Sequence, residues 1–230
     1  MRIKQICAAG LVATVFSVNA LANDLDSLED QVSYMIGMDI GQSLAEQDMD
    51  LNIDVLIEAL SASYSGDALR MTQEEALAVR DEFMQRRQAE MEQQRDRDAT
   101  RNLEEGQAFL AENRQRDDVT ETESGLQYRV IEPGDGRSPS AEDVVTVHYR
   151  GTLLNGTQFD SSFDRGEPAT FALNQVIPGW TEGVQLMQEG ARFEFFIPAD
   201  LAYGEMGRPG PIGPNSTLIF EVELIEVQGD

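Results

Sequence analysis

VTVHYRGTLLNGTQFDSS, residues 145 to 162, alternates and then turns. Val145, Val147 and Tyr149 fall on one face of a strand, and Thr146, His148 and Arg150 fall on the other. Asn155-Gly156 is a dipeptide that two-residue hairpin turns favour, because both central positions take positive φ. The chain then returns through Thr157, Gln158 and Phe159. Further strands are expected over residues 169–173, 192–197 and 217–227. Between them IPGWTEGVQLM spaces Trp180, Val184 and Met187 for one short helix facing a sheet. Residues 117–230 are therefore expected to form an antiparallel sheet curled over a single helix.

Upstream the period changes. No proline occurs before Pro133, and Leu28, Val32, Met35, Ile36, Ile40 and Leu44 follow the spacing of one helix face. Ile53, Leu56, Ile57, Leu60 and Tyr64 mark a second helix that ends at Gly66. Thr72-Gln-Glu-Glu75 is a capping box, opening a third helix expected to reach about Arg116. Its middle, RRQAEMEQQRDRDATR (residues 86–101), is polar all round, the pattern of a solvent-bridging helix held by side-chain pairs. Glu82–Arg86, Asp98–Arg101 and Arg101–Glu105 are the pairs expected there. Two short helices cannot bury both their apolar faces within so small a unit, so self-association would supply the missing surface. The class is α+β. Residues 23–70 are read as an all-helical dimerisation region and 71–116 as a long stalk helix ahead of the sheet domain.

Two motifs in this part fail. DMDLNID (residues 48–54) opens like a calcium loop, but Ile53 and Ala59 stand where glycine and glutamate are required. Gly37 and Gly41 bracket Asp39, which suits close packing of a soluble helix better than a membrane dimer.

Residues 1–22 carry Arg2 and Lys4, an apolar run and a small-residue end at Ala20-Leu21-Ala22, the pattern of a cleaved signal peptide. The run is too short for a membrane span. Cys7, the one cysteine, lies inside it, so the mature chain would lack disulfides despite an oxidising compartment. The formal charge is −25, and loss of Arg2 and Lys4 would make it −27. Such a surface repels phosphate backbones and excludes nucleic acid as a partner. It also suits a saline exterior, where counterions screen self-repulsion.

The catalytic inventory is short. His148 is the one histidine, and its strand parity makes it a solvent-facing side chain. No nucleophilic cysteine, P-loop, dinucleotide fingerprint or zinc-protease motif appears, and no spacing supports a metal site or a cofactor. Aromatic residues are what the sheet domain has instead. Tyr149, Trp180 and Tyr203 among them carry polar tips that need partners when buried.

VHYRGTLLNGTQFDSS, PATFALNQVIPGWTEGVQLM and IPADLAYG with GPIGPNSTLIFEVELIEV together resemble the FKBP-type peptidyl-prolyl isomerases, over about residues 120–228. The signal peptide, N-terminal helices and long helix are similar in layout to the secreted macrophage-infectivity-potentiator-like subgroup, a homodimer with a stalk. The resemblance implies a catalytic set of Phe159, Asp160 and Tyr203. It implies a substrate-binding pocket of Tyr149, Arg165, Phe171, Val176, Ile177, Trp180 and Phe220, with Trp180 as floor. Asp160 is left between two roles, orienting polar groups or acting on the substrate carbonyl. Ala169 departs from the small eukaryotic members, which have an aromatic there.

The implied activity is cis-trans isomerisation of X-Pro bonds in unfolded or proline-containing polypeptides exported to the periplasm or the outer-membrane periphery. A proline-binding chaperone with little turnover is the alternative. The family's macrolide inhibitors are implied as further ligands. Rotation about the bond faces a barrier of about 18–20 kcal/mol and needs no nucleophile. In this setting GEMGRPGPIGPN (residues 204–215), too short for collagen, reads as a semi-rigid flap at the pocket rim.

Overall fold

The computed structural model describes residues 25–47 and 49–229, so the signal-peptide reading over residues 1–22 lies outside the described residues. The chain divides between Gln73 and Glu74 into two units.

The first unit holds α1 (Leu28–Glu46) and α2 (Ile53–Ser65). Each starts at a side-chain cap. Ser27 Oγ accepts from the Asp30 amide at 3.0 Å, and Asn52 Oδ1 accepts from the Val55 amide at 3.2 Å. Gly66, at φ 75°, ends α2 in the left-handed conformation that suits glycine. Neither helix contains a buried residue.

The second unit holds all but the first residue of α3 (Gln73–Asn113), which starts directly after Thr72 as the capping box predicts. At 41 residues it is about 60 Å long. Glu82–Arg86 and Asp98–Arg101 pair at 2.5 and 2.9 Å. The expected Arg101–Glu105 pair does not form, because Arg101 reaches back to Asp98 instead. The helix stops three residues before Arg116 and continues as turns through Gln115 and Arg116.

The C-terminal part of α3 is not a free stalk. From Arg95, whose Nη2 donates to Met206 Sδ at 3.1 Å, it is docked against the sheet domain. Asn102 Nδ2 donates to the Pro214 carbonyl at 2.8 Å, and Asn215 Nδ2 donates to the Ala99 carbonyl at 3.3 Å. Gly106 is buried against Thr217, leaving no room for a Cβ. The Phe109 and Phe196 rings lie 5.7 Å apart. Buried Gln127 receives Asn113 Nδ2 on its Oε1 at 2.9 Å and donates its Nε2 to the Leu110 carbonyl at 2.9 Å.

The sheet comprises β1 (Thr120–Glu121), β2 (Gln127–Glu132), β3 (Val144–Leu153), β4 (Gln158–Ser161), β5 (Ala169–Ala172), β6 (Arg192–Ile197) and β7 (Leu218–Gln228). The spatial order is β1-β2-β6-β7-β3-β4, with β5 also paired to β3, and every pairing is antiparallel. A one-turn helix α4 (Ser162–Arg165) follows β4, and α5 (Pro178–Gln185) packs on the concave face. The alternation read from residues 145–149 holds, since Val145 and Val147 are fully buried and Tyr149 nearly so. They join Val184 of α5 and Phe195, Leu218, Val222 and Leu224 in one core. Such burial is worth about 1.5–3 kcal/mol for each large apolar side chain.

His148 does point away from that core, but it is half-buried and not free in solvent. Phe163 of α4 stacks on its ring at 4.7 Å, and its Nδ1 lies 2.9 Å from Ser162 Oγ.

Candidate active site

The β3–β4 hairpin makes the site asymmetric. Gly151 pairs with Asp160 and Thr152 with Gln158, so Phe159 is one residue too many for the ladder. In a regular strand Phe159 and Asp160 would point to opposite faces. The bulge turns both toward one cavity, which they line together. Gly151 is required opposite them, because a Cβ there would stand 2.5 Å from the Phe159 ring and 2.8 Å from the Phe220 ring.

The cavity has a volume of about 400 Å³. Trp180, near the start of α5 and 4 % exposed, lies at its base. Three rings stand nearly perpendicular to its indole, those of Tyr149, Phe171 and Phe220, with centroids 5.3, 5.6 and 5.2 Å away. Phe159 in turn meets Phe220 edge-on at 5.4 Å. Edge-to-face contacts suit the ring quadrupoles, and each adds about 0.5–1.5 kcal/mol beyond its burial. Val176 and Ile177 border the cavity just before Pro178 opens α5, and Tyr203 and Arg208 border it from the glycine–proline loop.

One polar network enters this apolar wall. Tyr149 Oη donates to Asp160 Oδ2 at 2.6 Å. Arg165 Nη1 donates to Asp160 Oδ1 at 2.5 Å, and its Nη2 donates to Tyr149 Oη at 2.9 Å. Burial pushes the Tyr149 phenol up, and its hydrogen bond to Asp160 pushes it further. Burial also raises Asp160, but the hydrogen bonds from Tyr149 and Arg165 and the charge of Arg165 outweigh it, so the carboxyl sits below its ordinary value. Asp160 is therefore ionised at neutral pH and held by three-way contact. Trp180 Nε1 is buried with no hydrogen-bond partner.

Nine of the ten residues expected at the pocket line this cavity: Tyr149, Phe159, Asp160, Phe171, Val176, Ile177, Trp180, Tyr203 and Phe220. Arg165 stands behind them and reaches the cavity through Asp160 and Tyr149. Gln175 and Arg208 also line it and were not anticipated. Gln175 directly precedes Val176, which was the available signal; a loop arginine has no periodicity to betray it. Ala169 lies half-buried on β5 and is not part of the lining. Of the three polar tips, Tyr149 and Tyr203 have partners and Trp180 does not.

An antiparallel sheet packed on α5, with an aromatic cavity that holds an ionised carboxylate, is the geometry with which the comparisons with known proteins can be set side by side. Residues 135–225 match the family model of the FKBP-type peptidyl-prolyl cis-trans isomerases, and residues 29–130 match the model of the domain amino-terminal to them. The chain belongs to that family, and it is an FKBP-type peptidyl-prolyl cis-trans isomerase.

Among its relatives, a protein of Neisseria meningitidis named a probable FKBP-type peptidyl-prolyl cis-trans isomerase FkpA is 48 % identical over 200 residues, which are 86 % of this chain and 74 % of that one. The outer membrane protein MIP of Legionella longbeachae is 42 % identical over 231 residues, covering 99 % of both chains. The crystal structure of FkpA from Escherichia coli superposes with a TM-score of 0.74 at 33 % identity, covering 89 % of this chain and 98 % of that one.

Proposed function

We propose that Phe159, Asp160 and Tyr203 carry the isomerisation, with proline seated on Trp180 between Tyr149, Phe171, Val176, Ile177 and Phe220. The observation that carries this reading is a cavity walled mainly by aromatic rings whose one carboxylate is already paired with Arg165 and hydrogen-bonded by Tyr149. Twisting an X-Pro amide destroys its resonance, and the twisted carbonyl is less polar than the planar one. A medium less polar than water therefore favours the transition state over the ground state, which is the condition for catalysis. Tyr203 Oη is the donor for the carbonyl of the residue before proline. Of the two roles left open for Asp160, the orienting one is better supported, since both its oxygens are occupied by Tyr149 and Arg165.

Two copies associate through α1 and α2, whose apolar side chains have no cover within one chain. The clients are unfolded, proline-containing polypeptides of the cell envelope. Among the described residues no helix is long and apolar enough to cross a membrane, and a relative of matching length is named an outer membrane protein. Macrolide inhibitors of the family would compete for the same cavity.

The test is a protease-coupled assay on a Leu-Pro tetrapeptide. Asp160→Ala removes the carboxylate that both Tyr149 and Arg165 donate to and lowers kcat/KM by about tenfold. Tyr203→Phe removes one hydrogen bond and lowers it about three- to tenfold. Phe159→Ala opens the cavity to water and lowers it similarly. Wild-type rates in all three variants, with unchanged far-UV spectra, refute the assignment.

A further inference from the structure

The charges around the cavity do not cancel. Asp160 is paired with Arg165 and hydrogen-bonded to Tyr149. The other charged side chain on the lining is Arg208, and among the described residues no carboxylate lies within ion-pair distance of it. The wall of the cavity thus carries one uncompensated positive charge, in a chain whose formal charge is −25.

The loop holds that charge in place. Gly207 sits at φ 64°, and a Cβ there would stand 2.6 Å from the Ile212 carbonyl oxygen. The Arg208 amide donates to that same carbonyl at 2.8 Å, closing a turn around Pro209 and Pro211. The guanidinium lies 5.7 Å from the Tyr203 ring centroid, and its Nη1 donates to Tyr203 Oη at 3.3 Å. An arginine that donates to a phenol oxygen occupies one lone pair and leaves the O–H free to donate elsewhere.

We propose that Arg208 is a specificity determinant that favours substrates with aspartate or glutamate immediately before proline. The inference rests on the reading of Tyr203 as donor to the carbonyl of that residue. A guanidinium hydrogen-bonded to the same hydroxyl lies beside the side chain of the residue whose carbonyl is held. The overall negative field of the protein opposes acidic substrates, but it is screened beyond about 8–10 Å at physiological salt. A contact pair at Arg208 is not screened to that degree, so the local cation decides. Because the side chain is exposed, the preference is modest, about two- to fivefold in kcat/KM. Stacking of Arg208 on Tyr203 for support alone would alter all substrates together, and this separates the two roles.

The experiment measures kcat/KM of the full chain on three tetrapeptides that differ only in glutamate, leucine or lysine before proline. The wild type favours Glu-Pro over Lys-Pro by about two- to fivefold, and the ratio moves toward one in about 1 M salt. Arg208→Gln brings the ratio close to one, and Arg208→Glu inverts it. A wild-type ratio at or below one overturns the proposal. So does a ratio unchanged in Arg208→Glu, or a variant that slows all three peptides by one common factor. A wild type inactive on the Leu-Pro peptide overturns the cavity reading itself, an outcome distinct from an altered ratio.

Discussion

Leu60 and Tyr64 of α2 stand 62 % and 95 % exposed, whereas Val145, Val147 and Phe195 of the sheet domain are fully buried. Both regions are rich in apolar side chains at regular spacing, and only one of them covers its own. A sheet with a helix on its concave face encloses a volume, while two short helices present stripes that need a partner. Met35, Ile36, Ile40, Leu56 and Ile57 join Leu60 on that uncovered surface. Contiguous apolar exposure on such a scale is the mark of a surface that another molecule covers. The same chain thus holds one region that covers its own apolar side chains and one that leaves them exposed, the surface proposed above for association with a second copy.

The largest effect should come from breaking the second kind of region. Ile57→Asp with Leu60→Asp places two charges where about 1.5–3 kcal/mol per side chain is gained on burial. The dimer dissociation constant should rise by about a thousandfold or more. Light scattering at micromolar concentration should show a dimer for the wild type and a monomer for the double variant, with Trp180 emission unchanged. A monomeric wild type, or a double variant that remains dimeric, removes the comparison.

The boundary between the regions is less clean than the sequence suggests, and a second prediction sharpens it. The sheet domain leans on the end of α3, through Phe109 on Phe196 and Asn113 on Gln127. Asn113→Ala should therefore leave the buried Gln127 Oε1 without its donor, at about 1–3 kcal/mol, read as a drop of about 3–10 °C in Tm. A chain beginning at Glu121 loses Phe109 as well and should melt lower still, whereas one beginning at Asp96 keeps both contacts. If the chain beginning at Glu121 melts as high as the full protein, α3 is a spacer only.

That docking was not legible in the sequence, for a physical reason. Periodicity needs several large apolar residues in step, and α3 offers Phe109 with Asn102, Gly106 and Asn113, whose contributions are one ring contact, two amide hydrogen bonds and the absence of a side chain. A polar helix surface looks the same whether it faces water or a carbonyl. The strands were legible because Val145, Val147 and Tyr149 alternate at period two with nothing to confuse them. The cavity was legible only through resemblance, since no pattern rule predicts that a bulge at Phe159 brings two consecutive side chains to one side. Arg208 escaped both routes, being neither periodic nor part of the residues carried over.

Acid should separate the two regions by the smallest margin, and only outside the physiological range. Asp118, Asp143 and Asp160 have depressed pKa values, and all three lie in the sheet domain. Asp118 is lowered by its hydrogen bond from Arg116, and Asp143 by the Ser140 amide followed by Arg137. In Asp160 burial works upward but loses to Tyr149 and Arg165. A carboxylate whose folded pKa lies below its unfolded one stabilises the fold above the unfolded value, and that stability is lost as pH falls through the folded one. With ordinary carboxylates near 4, nothing should change between about pH 5 and 8, and the loss should begin below about pH 4. Protonating Asp160 also dissolves the contact that holds Tyr149 and Arg165 at the cavity, so activity should fall with the fold. The chain's single tryptophan, Trp180, reports on the sheet domain alone. The proposed association of α1 and α2 is driven by burial of apolar side chains, so dimerisation should survive to lower pH than the native Trp180 emission. A Trp180 transition centred above about pH 5, or loss of the dimer before that transition, would show that the self-contained region is not the acid-sensitive one.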